Sequence, residues 1–198
     1  MGAGSLSLLD WRRRVAELYA AVRAEPDPAA GHRLWREGRD ALFSTHPDSP
    51  LLPGDPRRSS GLPVAPYDPQ LRFTAAVEPA DPAELSVVTG TDGTVAYTRL
   101  GRVRTPLGPL DLWWLAGYGG GLWVPVRDAS SGVSSYGGGR YLLDTVKGAD
   151  LGSSGADELV LDLNFLYNPS CAYDPAWACP LAPPGNRLAG AVDAGELG

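Results

Sequence analysis

Residues 71–116 read LRFTAAVEPADPAELSVVTGTDGTVAYTRLGRVRTPLGPLDLWWLA, and through this stretch apolar side chains recur with a period of two. Side chains on an extended strand alternate between faces, so this period marks half-buried strands. The segments 71–77, 85–88, 94–100, 102–107 and 110–116 each fit the pattern. Asp92-Gly93 is a hairpin signal, because the tight turns that suit twisted strands need residues that tolerate positive φ. Gly101 and Gly108-Pro109 read as the next turns. Strands joined by short turns pair antiparallel, so the stretch predicts a meander.

Further on, segments 121–126, 141–145 and 158–164 add three more strands, the first of them after Tyr118-Gly119-Gly120. Towards the N-terminus the period becomes helical. In LLDWRRRVAELYAAVR, residues 8–23, apolar Leu8, Trp11, Val15, Leu18, Tyr19 and Val22 fall on one face. Glu25-Pro26-Asp27-Pro28 interrupts the pattern. A second helix is expected over about residues 29–43, with Leu34, Trp35, Leu42 and Phe43 inward and Arg33, Arg36, Glu37, Arg39 and Asp40 mostly outward. His46-Pro47 ends it, His46 reading as a helix-end cap. Residues 47–69 hold seven prolines and read as an extended wrap pinned by Leu51, Leu52, Leu62, Val64 and Tyr67.

The expected architecture is therefore α+β and predominantly antiparallel: a strongly curved sheet or barrel with the N-terminal helices packed outside. A single domain spans 1–198. It comprises helices over 1–45, the Pro-rich wrap over 46–70 and a β-rich body over 71–198.

Composition narrows the function classes. The net charge is −6, with no basic face of the kind nucleic acid demands. Nothing approaches the roughly 20 consecutive apolar residues of a membrane span. The N-terminus lacks a charged start followed by an apolar run, so a cytoplasmic location is expected, where Cys171 and Cys179 stay reduced. The chain has one lysine, Lys147, against many arginines, a balance that with abundant Ala, Gly and Pro suggests a GC-rich bacterial gene. A Schiff-base mechanism would have to use Lys147. Gly137-Gly138-Gly139-Arg140 lacks the Gly-Lys-Ser/Thr of a phosphate loop and reads as a tight turn, and no cofactor motif is present. The only histidines, His32 and His46, lie in the helical front, far in sequence from the cysteines, so neither a metal site nor a Ser-His-Asp engine is expected.

Polar and aromatic residues crowd instead into 128–196. On a strand Asp162 and Asn164 share a face. Arg140, freed by its glycines, is expected within salt-bridge reach of Asp162, with Asn164 nearby; Asp128 is the alternative partner. Cys171 and Cys179 flank a Pro-containing loop that turns back on itself. They are expected close in space, with a disulfide compatible with the loop but not required for folding.

These residues carry a resemblance. Asp-Ala-Ser-Ser-Gly at 128–132, Tyr-Gly-Gly-Gly-Arg-Tyr-Leu at 136–142, Leu-Asp-Leu-Asn at 161–164, Tyr-Asn-Pro-Ser-Cys-Ala-Tyr at 167–173, Cys-Pro-Leu-Ala-Pro-Pro at 179–184, Asn-Arg-Leu at 186–188 and Gly-Glu at 195–196 stand in order. Ser-Pro-Leu at 49–51 and Tyr-Asp-Pro-Gln-Leu-Arg-Phe at 67–73 match more weakly. The chain resembles the bacterial and archaeal family designated domain of unknown function 1684, over essentially its whole length. The family brings no activity with it. Two departures stand out: Ser134-Ser135-Tyr136 where the family commonly has Glu before Thr-Tyr, and Leu163 where its motif has Phe.

Three readings follow. In the first, the 128–196 segment builds a pocket for a small polar or anionic molecule, catalytic or purely binding. Arg140 and Arg187 hold the anion and Asp162 or Glu196 serves as base. Asp128, Tyr136, Asn164, Tyr167, Asn168, Tyr173 and Asn186 line the site. In the second, exposed aromatics around Trp113, Trp114, Tyr118 and Trp123 anchor a protein partner. In the third, the motifs are structural, with Asn residues tying irregular backbone.

Overall fold

The computed structural model describes residues 3–89 and 93–198. Helix α1 spans Ala3–Ala24 and α2 spans Pro28–Thr45. Between them Asp27 caps α2, its carboxylate accepting from the Ala29 amide at 3.1 Å, and Pro28 sits at the first helical position, where its missing N–H costs nothing. His46 does cap the helix end: its backbone N–H donates to the Leu42 carbonyl at 3.0 Å. The wrap contains one unforeseen helical turn, α3, at Arg57–Ser60. Leu51 and Leu62 pin it to the body, whereas Leu52 is exposed.

Among the described residues eight strands follow: β1 Arg72–Ala76, β2 Glu84–Val88, β3 Thr94–Thr105, β4 Gly108–Ala116, β5 Leu122–Val126, β6 Arg140–Asp144, β7 Ser153–Gly155 and β8 Glu158–Asp162. All pairings between these strands are antiparallel. The meander is a five-stranded sheet ordered β2-β3-β4-β5-β6, and a second sheet is ordered β1-β8-β7. The two are stitched at both ends. Beyond β1, Glu78 pairs with Arg102 of β3, and beyond β8, Tyr167 pairs with Tyr141 of β6. The outcome is a strongly curved half-barrel with the helices outside.

Local readings needed correction. Segments 94–100 and 102–107 are one strand, β3: Gly101 is no turn but lies at a bulge, where the register shifts between Arg99 and Gly101. A side chain there would collide with the strand that crosses it, since an added Cβ would stand 2.7 Å from the Glu78 carbonyl oxygen. The next turn falls at Pro106-Leu107, and Gly108 begins β4. Strand β8 stops at Asp162, and Asn164 belongs to a 3-10 turn, Leu163–Phe165. Of the Asp92-Gly93 hairpin signal, Asp92 lies outside the described residues; β2 and β3 on either side pair antiparallel.

Strands β5 and β6 are buried along their whole length. On one side Val103, Leu110, Leu112, Val124, Val126 and Leu142 form the main core with Trp35 and Phe165. On the other, Tyr97, Trp113, Trp123 and Tyr141 form an aromatic cluster. The main core is completed by Tyr19, Val22 and Trp35 from the helices and by Val192 and Ala194 from the C-terminal segment, while Pro180 and Asn186 reach the aromatic cluster through Tyr141 and Trp113. Among the described residues no helix is long and apolar enough to cross a membrane.

Candidate functional site

The polar residues of 128–196 separate into distinct places. Arg140 and Asp128 make an ion pair at 2.8 Å with both side chains fully buried. Arg140 does not reach Asp162, because its guanidinium turns towards the C-terminal segment. It donates to the carbonyls of Val192 at 2.9 Å and Glu196 at 3.1 Å, and to that of Ala194. Asp128 in turn accepts from the Ser130 amide at 2.8 Å and the Val192 amide at 3.1 Å. Burial works against the ionised carboxyl, but the donors from Ser130 and Arg140 outweigh it and hold Asp128 below the ordinary carboxylate range. This is a clasp on the C-terminal segment, with both terminal nitrogens of the guanidinium committed to Asp128 and three backbone carbonyls.

Asp162 and Asn164 pin the wrap. Asp162 accepts from the Tyr67 hydroxyl at 3.2 Å and from the Asn164 side chain at 2.7 Å, with Arg72 at 3.6 Å. Asn164 exchanges two bonds of 2.8 Å with the backbone of Asp68. Burial raises the Asp162 carboxyl above its usual value despite these donors. Asn186 is buried against β4, accepting from the Trp113 indole at 2.8 Å and donating to the Asp111 carbonyl at 2.8 Å. Arg187 is exposed. Neither arginine assigned to an anion reaches a common site. Trp114 and Tyr118 face solvent, while Trp113 and Trp123 are core.

A cavity of about 100 Å³ gathers what remains. It lies where α1 and α2 cover β6 and the 167–173 segment. Tyr167, Asn168, Tyr173 and Cys179 line it; so do Tyr19, Arg39, Asp144 and Lys147, which the sequence reading had not placed in a site. Arg39 is the principal omission. It was assigned to the outer face of α2, yet its guanidinium lies about 5 Å from the rings of Trp35, Phe43 and Tyr167. Its spacing was the available signal: Trp35, Arg39 and Phe43 are four apart and share one helix face.

Behind the cavity wall Arg39 donates to Glu196 at 2.8 Å. Glu196, fully buried, also accepts from the Asn168 amide at 3.0 Å and from the Tyr173 hydroxyl. Lys147 pairs with Asp144 at 3.2 Å. Burial lifts Tyr19 to about 12 and holds Tyr141, Tyr167 and Tyr173 well above the ordinary phenol value, so these rings present protonated hydroxyls. Glu196 is thereby committed to three donors.

Tyr136 stands apart, half-buried, its hydroxyl 3.5 Å from Cys171 Sγ. Ser134, where the family commonly carries Glu, is exposed; its carbonyl accepts from Gly198, and it takes no part in the cavity.

A half-barrel closed by its own C-terminal segment and backed by two helices defines an α+β architecture whose family is shown by comparison. The chain belongs to the family described as "Protein of unknown function (DUF1684)", which matches residues 58–197. It is similar to an uncharacterised protein from Haloarcula marismortui, whose solution NMR structure aligns with a TM-score of 0.59 at 35% identity, covering 82% of this chain and 90% of that one. Comparison with curated proteins finds no match.

Proposed function

We propose that the protein binds a small, neutral, polar molecule in the cavity beneath α1 and α2. One observation carries the reading. Arg39 Nε and Asn168 Oδ1 are buried without a hydrogen-bond partner, and both residues line this cavity. An unpaired buried polar atom costs about 1–3 kcal/mol, so folded proteins keep few of them. Five such atoms occur among the described residues, and of these only this donor and this acceptor share a cavity. A ligand offering an acceptor to Arg39 and a donor to Asn168 would satisfy both once the two side chains turn their unpaired atoms, which have no accessible surface, towards the cavity.

The charges argue for neutrality, because Arg39 is offset by Glu196 and Lys147 by Asp144. The size argues for roughly half a dozen non-hydrogen atoms, since a cavity on the order of 150 Å³ accommodates benzene. A carboxamide or lactam fits both demands, its hydrocarbon part resting on Trp11, Val15 and Phe43.

Thermal denaturation with 2-pyrrolidone, propionamide and isobutyramide tests this. A ligand that binds only the folded chain raises the melting temperature with concentration. The expected result is a saturable rise in the wild type that is lost in Ser170→Phe, which intrudes on the cavity from its lining. No shift with any compound, or equal shifts in both proteins, would reject the reading.

A further inference from the structure

The loop from Cys171 to Cys179 brings its two ends together. The Cys171 amide donates to Cys179 Sγ at 3.4 Å, which brings the second sulfur to the backbone of the first cysteine. The Tyr136 hydroxyl donates to Cys171 Sγ at 3.5 Å. Both thiols are free and partly exposed, and the loop tip at residues 175–178 is open to solvent. From this arrangement we infer that Cys171 and Cys179 form a two-thiol redox site, oxidised by hydroperoxides to an intrachain disulfide, with Cys171 attacking and Cys179 resolving.

Attack requires a thiolate. Hydrogen bonds from the Cys179 thiol and then from Tyr136 stabilise the Cys171 thiolate against the opposing effect of burial, and bring that thiol down to about 6. The same contact pushes Cys179 up, so it keeps its proton. Tyr136 is held protonated to about 12, chiefly by its bond to Cys171, and so remains a donor across the neutral range. An ionised, accessible cysteine beside a second thiol is the arrangement that converts oxidation into a reversible disulfide.

The steps balance. The Cys171 thiolate attacks the terminal oxygen of ROOH. The O–O bond breaks and RO⁻ leaves, taking up the proton that Cys171 released. Cys171 is then a sulfenic acid. The Cys179 sulfur attacks it, the S–S bond forms, the S–O bond breaks, and hydroxide leaves with the Cys179 proton as water. In sum two thiols lose two electrons and two protons, and ROOH becomes ROH and water. A dithiol reductant reverses the oxidation by exchange.

The purified full chain is treated with equimolar hydrogen peroxide and followed by intact mass and non-reducing peptide mapping. The expected result is loss of two hydrogens, a Cys171–Cys179 cross-link, and return of both thiols with dithiothreitol. Alkylation by iodoacetamide should occur first at Cys171, with a half-point near pH 6, rising in Tyr136→Phe. In Cys179→Ser, dimedone should capture a sulfenic acid at Cys171. Two thiols still alkylated in full after peroxide, or oxidation running only to sulfinic acid or to intermolecular dimers in the wild type, would overturn the inference.

Discussion

Arg39 donates to Glu196 at 2.8 Å, joining the second helix to a carboxylate that has no exposure to solvent. Because Glu196 also takes Tyr173 and the Asn168 amide, three elements converge on one buried charge. Removing the cation strands that charge. Arg39→Met should therefore cost about 3–5 kcal/mol in urea denaturation, and adding Glu196→Gln should restore a substantial part. A double variant no more stable than Arg39→Met alone would show that the lost ring contacts, not the charge, set the cost.

The Arg140–Asp128 clasp invites a contrast with the surface. Arg140→Met leaves Asp128 buried and frees three carbonyls of the C-terminal segment, so a loss of about 3–5 kcal/mol is expected. Arg104, paired with Glu78 in the open, should cost under about 1 kcal/mol when changed to Ala. Similar losses from the two would contradict the structural weight given to the clasp.

His32 supplies a pH dependence. Burial is the main force holding its imidazole below 6.5, and its ring bonds the Asn164 carbonyl at 3.1 Å. The unfolded chain therefore binds the proton more tightly than the folded one. Stability from this group is complete above the unfolded value of 6.5 and declines as pH falls through the folded value. Unfolding midpoints measured from about pH 7.5 to about pH 5 should fall more steeply for the wild type than for His32→Gln. Parallel curves would mean that His32 keeps its unfolded affinity for protons.

Gly101 permits β1's continuation to cross β3. Gly101→Ala places a Cβ against backbone and should cost roughly 1–3 kcal/mol. Gly190→Ala, where an added Cβ meets nothing within 4 Å, is the control and should stay within about 0.5 kcal/mol. Thermal melts of both decide the point.

What sequence made legible followed its local rules. The strands of the meander were visible because alternation is a local property, and the helices because their apolar faces repeat. The second sheet was not, since pairing Arg72 with Asp162 depends on a contact across the whole body. Strand β7, Ser153–Gly155, has no apolar residue to betray it. Gly101 was read as a turn because glycine serves turns and bulges alike. In the site, the polar density around Arg140, Asn168 and Glu196 was readable, and so was Asp128 as one of two partners for Arg140, but the cation on Glu196 was not. Arg140 bends back twelve positions to Asp128 and not forward to Asp162, and Glu196 takes its cation from a helix whose other arginines, Arg33 and Arg36, face water.

Lys147 gives the chain an unusual handle. It is the sole lysine, its side chain is about half exposed, and it stands on the cavity lining beside Asp144. An amine-directed dye therefore has a single side-chain target, already located where occupancy would be felt. A solvent-sensitive fluorophore attached there would report on the cavity without any engineered cysteine, leaving Cys171 and Cys179 as they are.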